Sequence, residues 1–247
     1  AAIPLLTVAE DSGLSAPITV LSNDTDPDGD TLTVTAATSP NGVVTINANG
    51  TLSFAPAANF NGPTTISYTI SDGSGGTDTA TVFVNVSAVN DAPDAIDDGS
   101  AATPLLTVAE DSGLSAQITV LANDTDPDGD TLTVTAATSP NGVVTINANG
   151  TLSFTPAANF NGPTTISYTI SDGNGGTDTA TVFVNVSAVN DNPDAIDDGS
   201  AATPLLTVAE DSGASAQITV LSNDTDIDGD TLTVTATTSP DGTVTIN

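Results

Sequence analysis

The chain has no lysine, no arginine, no histidine and no cysteine among its 247 residues, against 31 acidic groups and a formal charge of −31. Without cationic side chains it has no means of gripping a nucleic-acid phosphate backbone. The same absences remove Schiff-base lysines, imidazole bases, cationic clamps for phosphoryl transfer, thiol nucleophiles, disulfides and thiolate metal sites. Tryptophan is missing too, and aromatics make up only 3%, so cores must be built from Val, Ile, Leu, Ala and Thr, a set that favours strands. No apolar run reaches the ~18 residues of a membrane span, and no basic segment leading into an apolar stretch marks a secretion signal within these residues. What remains for chemistry is carboxylates, amides, hydroxyls and two tyrosines. That kit suits a glycosidase carboxylate pair or, better, a site for a hard cation.

Laid on itself at a spacing of 100 residues, the sequence repeats with six differences over the first two copies: Ile3/Thr103, Pro17/Gln117, Ser22/Ala122, Ala55/Thr155, Ser74/Asn174 and Ala92/Asn192. A third copy starts at Ala201 and runs to Asn247. A 100-residue period exceeds the 20–50 residues of solenoid repeats and matches a whole small β-sandwich. The expected domains are residues 1–89, without a lead-in strand, 90–189, and a partial copy at 190–247. The chain starts and stops in mid-pattern, as a fragment of a longer array would. Four strands of the third copy alone bury too little apolar surface to stand by themselves.

Within the second copy, short runs separated by Gly, Pro, Asn and Asp predict seven strands. The first is split between Ala95–Asp97 and Leu105–Ala109. The others are Ala116–Leu121, Thr131–Ala136, Val143–Asn147, Thr151–Thr155, Thr164–Ser171 and Asp178–Ser187. Leu132, Val134 and Ala136 alternate with threonines, as do Ile166, Tyr168 and Ile170, which predicts one buried face per strand. Pro140-Asn141-Gly142 and Asn149-Gly150 read as hairpin turns that need positive φ. Tyr168 is expected to be structural, its hydroxyl tying down the loop at Ala158–Gly162.

The acidic residues cluster between the predicted strands, at Glu110-Asp111, Asp124 to Asp130, Asp172 with Asp178, and Asp191 to Asp198. Because the chain reverses direction at each strand of a sandwich, the Asp124–Asp130 loop and Asp172 should meet the linker Asn90-Asp91. The Glu10-Asp11 loop should meet it from the other side. Carboxylates this close repel by a few kcal/mol per pair at intermediate dielectric, so the joint demands counter-charge. An oxygen-only ligand set of this size matches Ca²⁺. Asp124-Thr-Asp126-Pro-Asp128-Gly129-Asp130 looks like the start of an EF-hand loop, but the flanks are strands and position 12 is Thr135.

Ile170-Ser-Asp172-Gly173 followed by Val189-Asn190-Asp191-Asn192-Pro193 resembles the end of a cadherin repeat. Combined with Leu-x-Asn-Asp-Thr-Asp-x-Asp-Gly-Asp and Ala-Asn-Phe-Asn-Gly, the pattern resembles the bacterial cadherin-like tandem repeats of giant surface adhesins, in every copy. The resemblance implies an all-β chain of tandem immunoglobulin/cadherin-like seven-stranded sandwiches in a linear array. It places Ca²⁺ at one joint on Glu10, Asn90, Asp91, Asp124, Asp126 and Asp172, and at the next on Glu110, Asn190, Asp191, Asn192, Asp224 and Asp226. The Asp-Arg-Glu segment of cadherins is replaced by Pro156-Ala-Ala-Asn159-Phe160-Asn161, which implies one or two ions per joint instead of three.

The function this implies is mechanical and non-catalytic: a calcium-rigidified spacer in an extracellular, cell-surface adhesin. Its partners are neighbouring repeats of the same chain, with like-chain self-association as a further possibility and neither nucleic acid nor membrane insertion in this segment. The alternative is the repeat unit of a self-assembling filament or surface layer. A glycan-binding module ranks below both, for want of aromatic platforms. Asn-x-Ser/Thr triplets at Asn23, Asn49, Asn85, Asn123, Asn149, Asn185 and Asn223 are possible glycan acceptors that read chiefly as turn chemistry.

Overall fold

The computed structural model describes residues 4–246, so the ends of the outer two expected domains, residues 1–3 and 247, lie outside the described residues. Twelve strands run in chain order through the first two copies. In copy 1 they are β1 Leu6–Ala9, β2 Thr33–Thr38, β3 Gly42–Ile46, β4 Leu52–Pro56, β5 Gly62–Ser71 and β6 Thr77–Ser87. In copy 2 they are β7 Leu106–Ala109, β8 Thr133–Thr138, β9 Gly142–Ile146, β10 Leu152–Pro156, β11 Gly162–Ser171 and β12 Thr177–Ser187. Each of these two copies is a sandwich of a four-stranded sheet, ordered β7-β12-β11-β8 in copy 2, and a two-stranded hairpin, β9-β10 in copy 2. The chain is all-β, as expected; the one helical element among the described residues is a 3₁₀ turn at Leu21–Asn23.

The seven expected strands become six and a bridge. Ala116–Leu121 pairs with β10 by backbone at Ile118 alone among the described residues, where Ile118 and Leu152 exchange hydrogen bonds at 2.7 and 2.9 Å. Three residues earlier Ser115 meets Phe154 through backbone and side chain, its N–H donating to Phe154 O at 2.8 Å while Phe154 N–H donates to Ser115 Oγ at 2.9 Å. The split first strand is present: after Ala95–Asp98 the chain turns at Ser100–Thr103, then rejoins the sheet as β7, parallel to β12.

Alternation on β11 and β12 sends Ile166, Tyr168, Ile170, Val182, Val184 and Val186 inward, where none is more than 2% exposed. At about 25 cal/mol per Å² such aliphatic burial is the main stabilising term. On β8 the expected face changes partway. A bulge opposite Thr169/Ile170 inserts Thr135, so Leu132 and Val134 face the core but Ala137 takes the place predicted for Ala136. The two Asn-Gly turns differ as well. Gly150 has φ 81°, as predicted. Gly142 has no positive φ and is required by space, since a Cβ there would meet the Thr155 carbonyl and the Phe154 ring.

Tyr168 does not tie the Ala158–Gly162 loop. It lies six residues into β11, about 20 Å along the strand from that loop. Its O–H instead lies 3.2 Å from Ile96 O, 3.4 Å from Val120 O and 3.3 Å from both Asp124 oxygens. In copy 3 the described residues form only isolated bridges, Asp194 with Thr225 and Gly199 with Pro204. Its apolar side chains stay open, with Val208 56% and Ile227 62% exposed.

Candidate metal centre

Two acidic loops and one linker meet between copies 1 and 2. From copy 1 comes Glu10, at the end of β1, 2% exposed. Its Oε1 accepts Val89 N–H at 2.7 Å and its Oε2 faces Asn61 Nδ2 at 3.5 Å. Asp11 follows with φ 56°, a left-handed conformation that Asp tolerates better than most residues, and its Oδ1 accepts Asn59 N–H at 3.2 Å. One carboxylate oxygen each from Glu10, Asp11 and Asp91 lies within 4.8 Å of the others.

From copy 2 comes the loop Asp126–Asp130, whose three acids form a second trio within the same 4.8 Å limit. Asp126 Oδ1 shapes the loop by accepting Asp128 N–H at 2.9 Å and Asp130 N–H at 3.0 Å. Asp128 Oδ2 accepts Asp91 N–H at 2.8 Å, which ties the loop to the linker. Asp91 therefore stands between the two trios. Burial, then the charges of Asp11, Asp128, Glu10 and Asp126, push its carboxyl above the ordinary range. Its Oδ2 is enclosed and receives no hydrogen bond, and neither does Asp126 Oδ2.

Enclosed acceptors without donors, in a chain that carries no cation, are what a hard cation would satisfy. The donor set fits one: it is made of carboxylates, with the adjoining Asn90 held by its Nδ2 donating to Asp172 Oδ2 at 2.7 Å.

The structure sorts the sequence-predicted residues. Glu10, Asn90, Asp91 and Asp126 come together at the joint. Asp172 reaches it but is already engaged, with Oδ1 taking N–H groups of Asn174, Gly175 and Gly176 at 2.8–3.0 Å and Oδ2 taking Asn90. These bonds, the Asn90 one foremost, hold its carboxyl below the usual range. Asp124 does not join the site. It turns into copy 2, where it accepts Ile96 N–H at 2.8 Å, and burial raises its pKa. Nearer the linker stands Asp128, and on the other side Asp11, both in loops that the sequence brings to the joint but neither in the ligand set it predicts. The signal was there in the Asp-x-Asp run, where a choice two residues further on selects Asp126 and Asp128.

The second joint repeats these hydrogen bonds, although among the described residues carboxylate trios within 4.8 Å form only at the first joint. Val189 N–H donates to Glu110 Oε1 at 2.7 Å and Asp191 N–H to Asp228 Oδ2 at 2.6 Å, while Asp191 Oδ2 is again enclosed and unpartnered. Burial and the charges of Asp111, Asp228, Glu110 and Asp226 raise Asp191. Asn190 donates to Asp191 O at 2.7 Å. Asp224 holds Ile196 N–H at 2.8 Å, as Asp124 holds Ile96, and Asn192 is exposed.

The sequence profile of a family described as bacterial Ig domain matches residues 1–85, 90–185 and 190–247. No curated protein matches the sequence. Among solved structures, repeats EC22-24 of mouse cadherin-23 are similar at 17% identity over 75% of this chain and 63% of that one, TM-score 0.46. Human mucin-like protocadherin EC1-2 is similar at 20% over 74% and 95%, TM-score 0.42. An endo-fucoidan hydrolase from glycoside hydrolase family 107 is similar at 24% identity and TM-score 0.33, over 76% of this chain and only 28% of that one. Similarity at this level assigns no function. No helix among the described residues is long and apolar enough to cross a membrane.

Proposed function

The chain belongs to the bacterial Ig domain family, in three tandem matches, and from that premise we propose that it is a calcium-rigidified spacer in an extracellular surface adhesin. Glu10, Asp11, Asp91, Asp126 and Asp128 would hold the ion at the first joint, and Glu110, Asp111, Asp191, Asp226 and Asp228 at the second. The bound ion would supply positive charge between loops of two successive repeats that otherwise repel. The protein contributes the positioning: Val89 N–H aims Glu10, Asp128 fixes the Asp91 backbone, and Asp172 holds Asn90. The observation that carries this reading is the enclosed, donorless Asp91 Oδ2 standing among four other carboxylates. Role follows from place, since a charge-demanding joint between otherwise self-contained sandwiches controls the angle between them more than their folding.

Calcium titration followed by small-angle scattering and calorimetry tests it. Calcium is expected to raise the melting temperature through preferential binding to the folded joint and to lengthen the particle. Identical scattering curves and melting temperatures in calcium and in chelator would overturn the proposal.

A further inference from the structure

The strand edges of copies 1 and 2 are not alike. On β3 the direction of the free backbone groups follows from the hydrogen bonds at its two ends. Asn47 N–H donates to Thr51 O at 2.8 Å and Ala57 N–H to Asn41 O at 3.0 Å, in register with Val43 opposite Ala55 and Thr45 opposite Ser53. Hydrogen-bonded pairs alternate along an antiparallel ladder, so Asn41, Val43, Thr45 and Asn47 turn their backbone groups to β4. Val44 and Ile46 turn theirs the other way, to a side where no strand lies among the described residues. Copy 2 repeats the arrangement on β9, with Asn147 N–H on Thr151 O at 2.8 Å and Ala157 N–H on Asn141 O at 2.9 Å.

The other edges are covered or blunted. The far side of β4 is taken by Ile18 and Ser15, whose backbones pair with Leu52 and Phe54 at 2.7–3.0 Å. β2 carries a bulge at Thr35, and a bulge spoils an edge for further pairing. β1 has four residues and runs into Glu10 and Asp11. β3 has neither a bulge nor a charge. Residues 31–71 and 131–171 contain no charged side chain at all, in a chain that bears 31 negative charges elsewhere. Beside the free edges stand Val43 and Val143, 68% and 67% exposed, and Ile46 and Ile146, both 38% exposed.

We propose that β3 and β9 are docking edges for a second copy of this chain, which adds a strand of the same Gly-Val-Val-Thr-Ile sequence antiparallel to them. The strand is complementary to itself. With the central threonines opposite each other, Val44 faces the isoleucine of the incoming strand, and the outward N–H of each meets the outward C=O of the other. Such a contact is isologous and closes on itself, because both free edges are used up. The charge pattern favours a second copy along this stretch: all its charges are negative, so the acidic loops repel it and the neutral edge does not. The edge consists of backbone and uncharged side chains, so the proposal stands apart from the ion at the joints.

Sedimentation of the full chain tests it, in about 1 M sodium chloride with chelator, where the Debye length is about 3 Å, and again with calcium added. Reversible association is expected in both, with slowed amide exchange at Val44, Ile46, Val144 and Ile146. The chain has no cysteine, so Thr45→Cys with Thr145→Cys supplies the only thiols. Facing residues at a non-hydrogen-bonded position lie close enough for a disulfide, and oxidation should link two chains. Ala58→Cys with Ala158→Cys, exposed and outside the strands, should link far more slowly. Thr45→Asp with Thr145→Asp sets like charges opposite each other and should weaken association about tenfold without changing the melting temperature of the dilute chain. Ile46→Pro with Ile146→Pro removes a donor from each free edge, where proline is tolerated, and should abolish association. A chain that stays monomeric in both buffers, association in calcium alone, protection at β2 instead of β3, or equal linking of the Ala58 and Thr45 variants would overturn the proposal. A monomer whose melting temperature still depends on calcium would leave the spacer reading intact.

Discussion

Asp98 is 8% exposed, its Oδ2 receives no hydrogen bond, and burial together with the Asp124 and Asp97 charges pushes its pKa up to about 6. A carboxyl raised above its unfolded value near ~3.9 binds protons more tightly in the folded state. Its contribution is therefore complete below the unfolded pKa and is lost as pH rises through about 6. In chelator, copy 2 should gain melting temperature as pH falls from neutrality towards ~4.5, contrary to ordinary acid destabilisation, and Asp98→Asn should flatten that rise in calorimetric scans. Asp91 predicts a change of sign. In chelator Asp91→Asn removes an enclosed charge that has no donor and should stabilise the joint, read as a higher melting temperature than wild type. In excess calcium the same variant should melt lower than wild type, because a ligand has gone. A loss of stability in both buffers would show that Asp91 acts through its backbone environment alone.

Identical strands differ in burial because their cover differs. β5 and β11 share the sequence GPTTISYTIS, yet Ile170 is 0% exposed beneath the Ala95–Asp98 segment while Ile70 is only part-buried. Ile170→Ala should cost about 2–5 kcal/mol, the usual range for a core isoleucine, and Ile70→Ala measurably less in denaturant titrations that resolve the two copies. Gly176 and Gly76 form a second matched pair. A Cβ at either crowds its own Asp172 or Asp72, but only at Gly176 does it also meet Ala92 and Pro93. Gly176→Ala should loosen the linker, seen as faster amide exchange at Asp91 and Asp94, beyond any change that Gly76→Ala makes in its own loop.

Across the whole molecule, 31 negative charges face no positive one. Self-repulsion on that scale makes stability depend on screening, so in chelator the melting temperature should climb steadily with sodium chloride. Under the proposed reading calcium should act at far lower concentration, because each joint concentrates repulsion that a bound ion would relieve. Among the described residues of copy 3 the apolar side chains are open to solvent. Limited digestion with a protease that cuts at aliphatic residues should trim it first and leave the paired sheets of copies 1 and 2 intact.

Sequence alone determined the repeat, the all-β class, the strand positions to within a few residues and the presence of an acidic joint. These follow from local patterns: period, alternation, turn residues and a missing charge sign. It did not determine which face Ala136 and Ala137 take, because a bulge at Thr135 depends on the partner strand. Nor did it place the Tyr168 hydroxyl or show why Gly142 must be glycine, both matters of what another strand brings near. Within Asp124–Asp130 every acid looks equivalent as sequence. Only the path of the linker, which passes Ile96 across Asp124 and Asp91 across Asp128, separates a carboxylate that holds the fold from one that faces the joint.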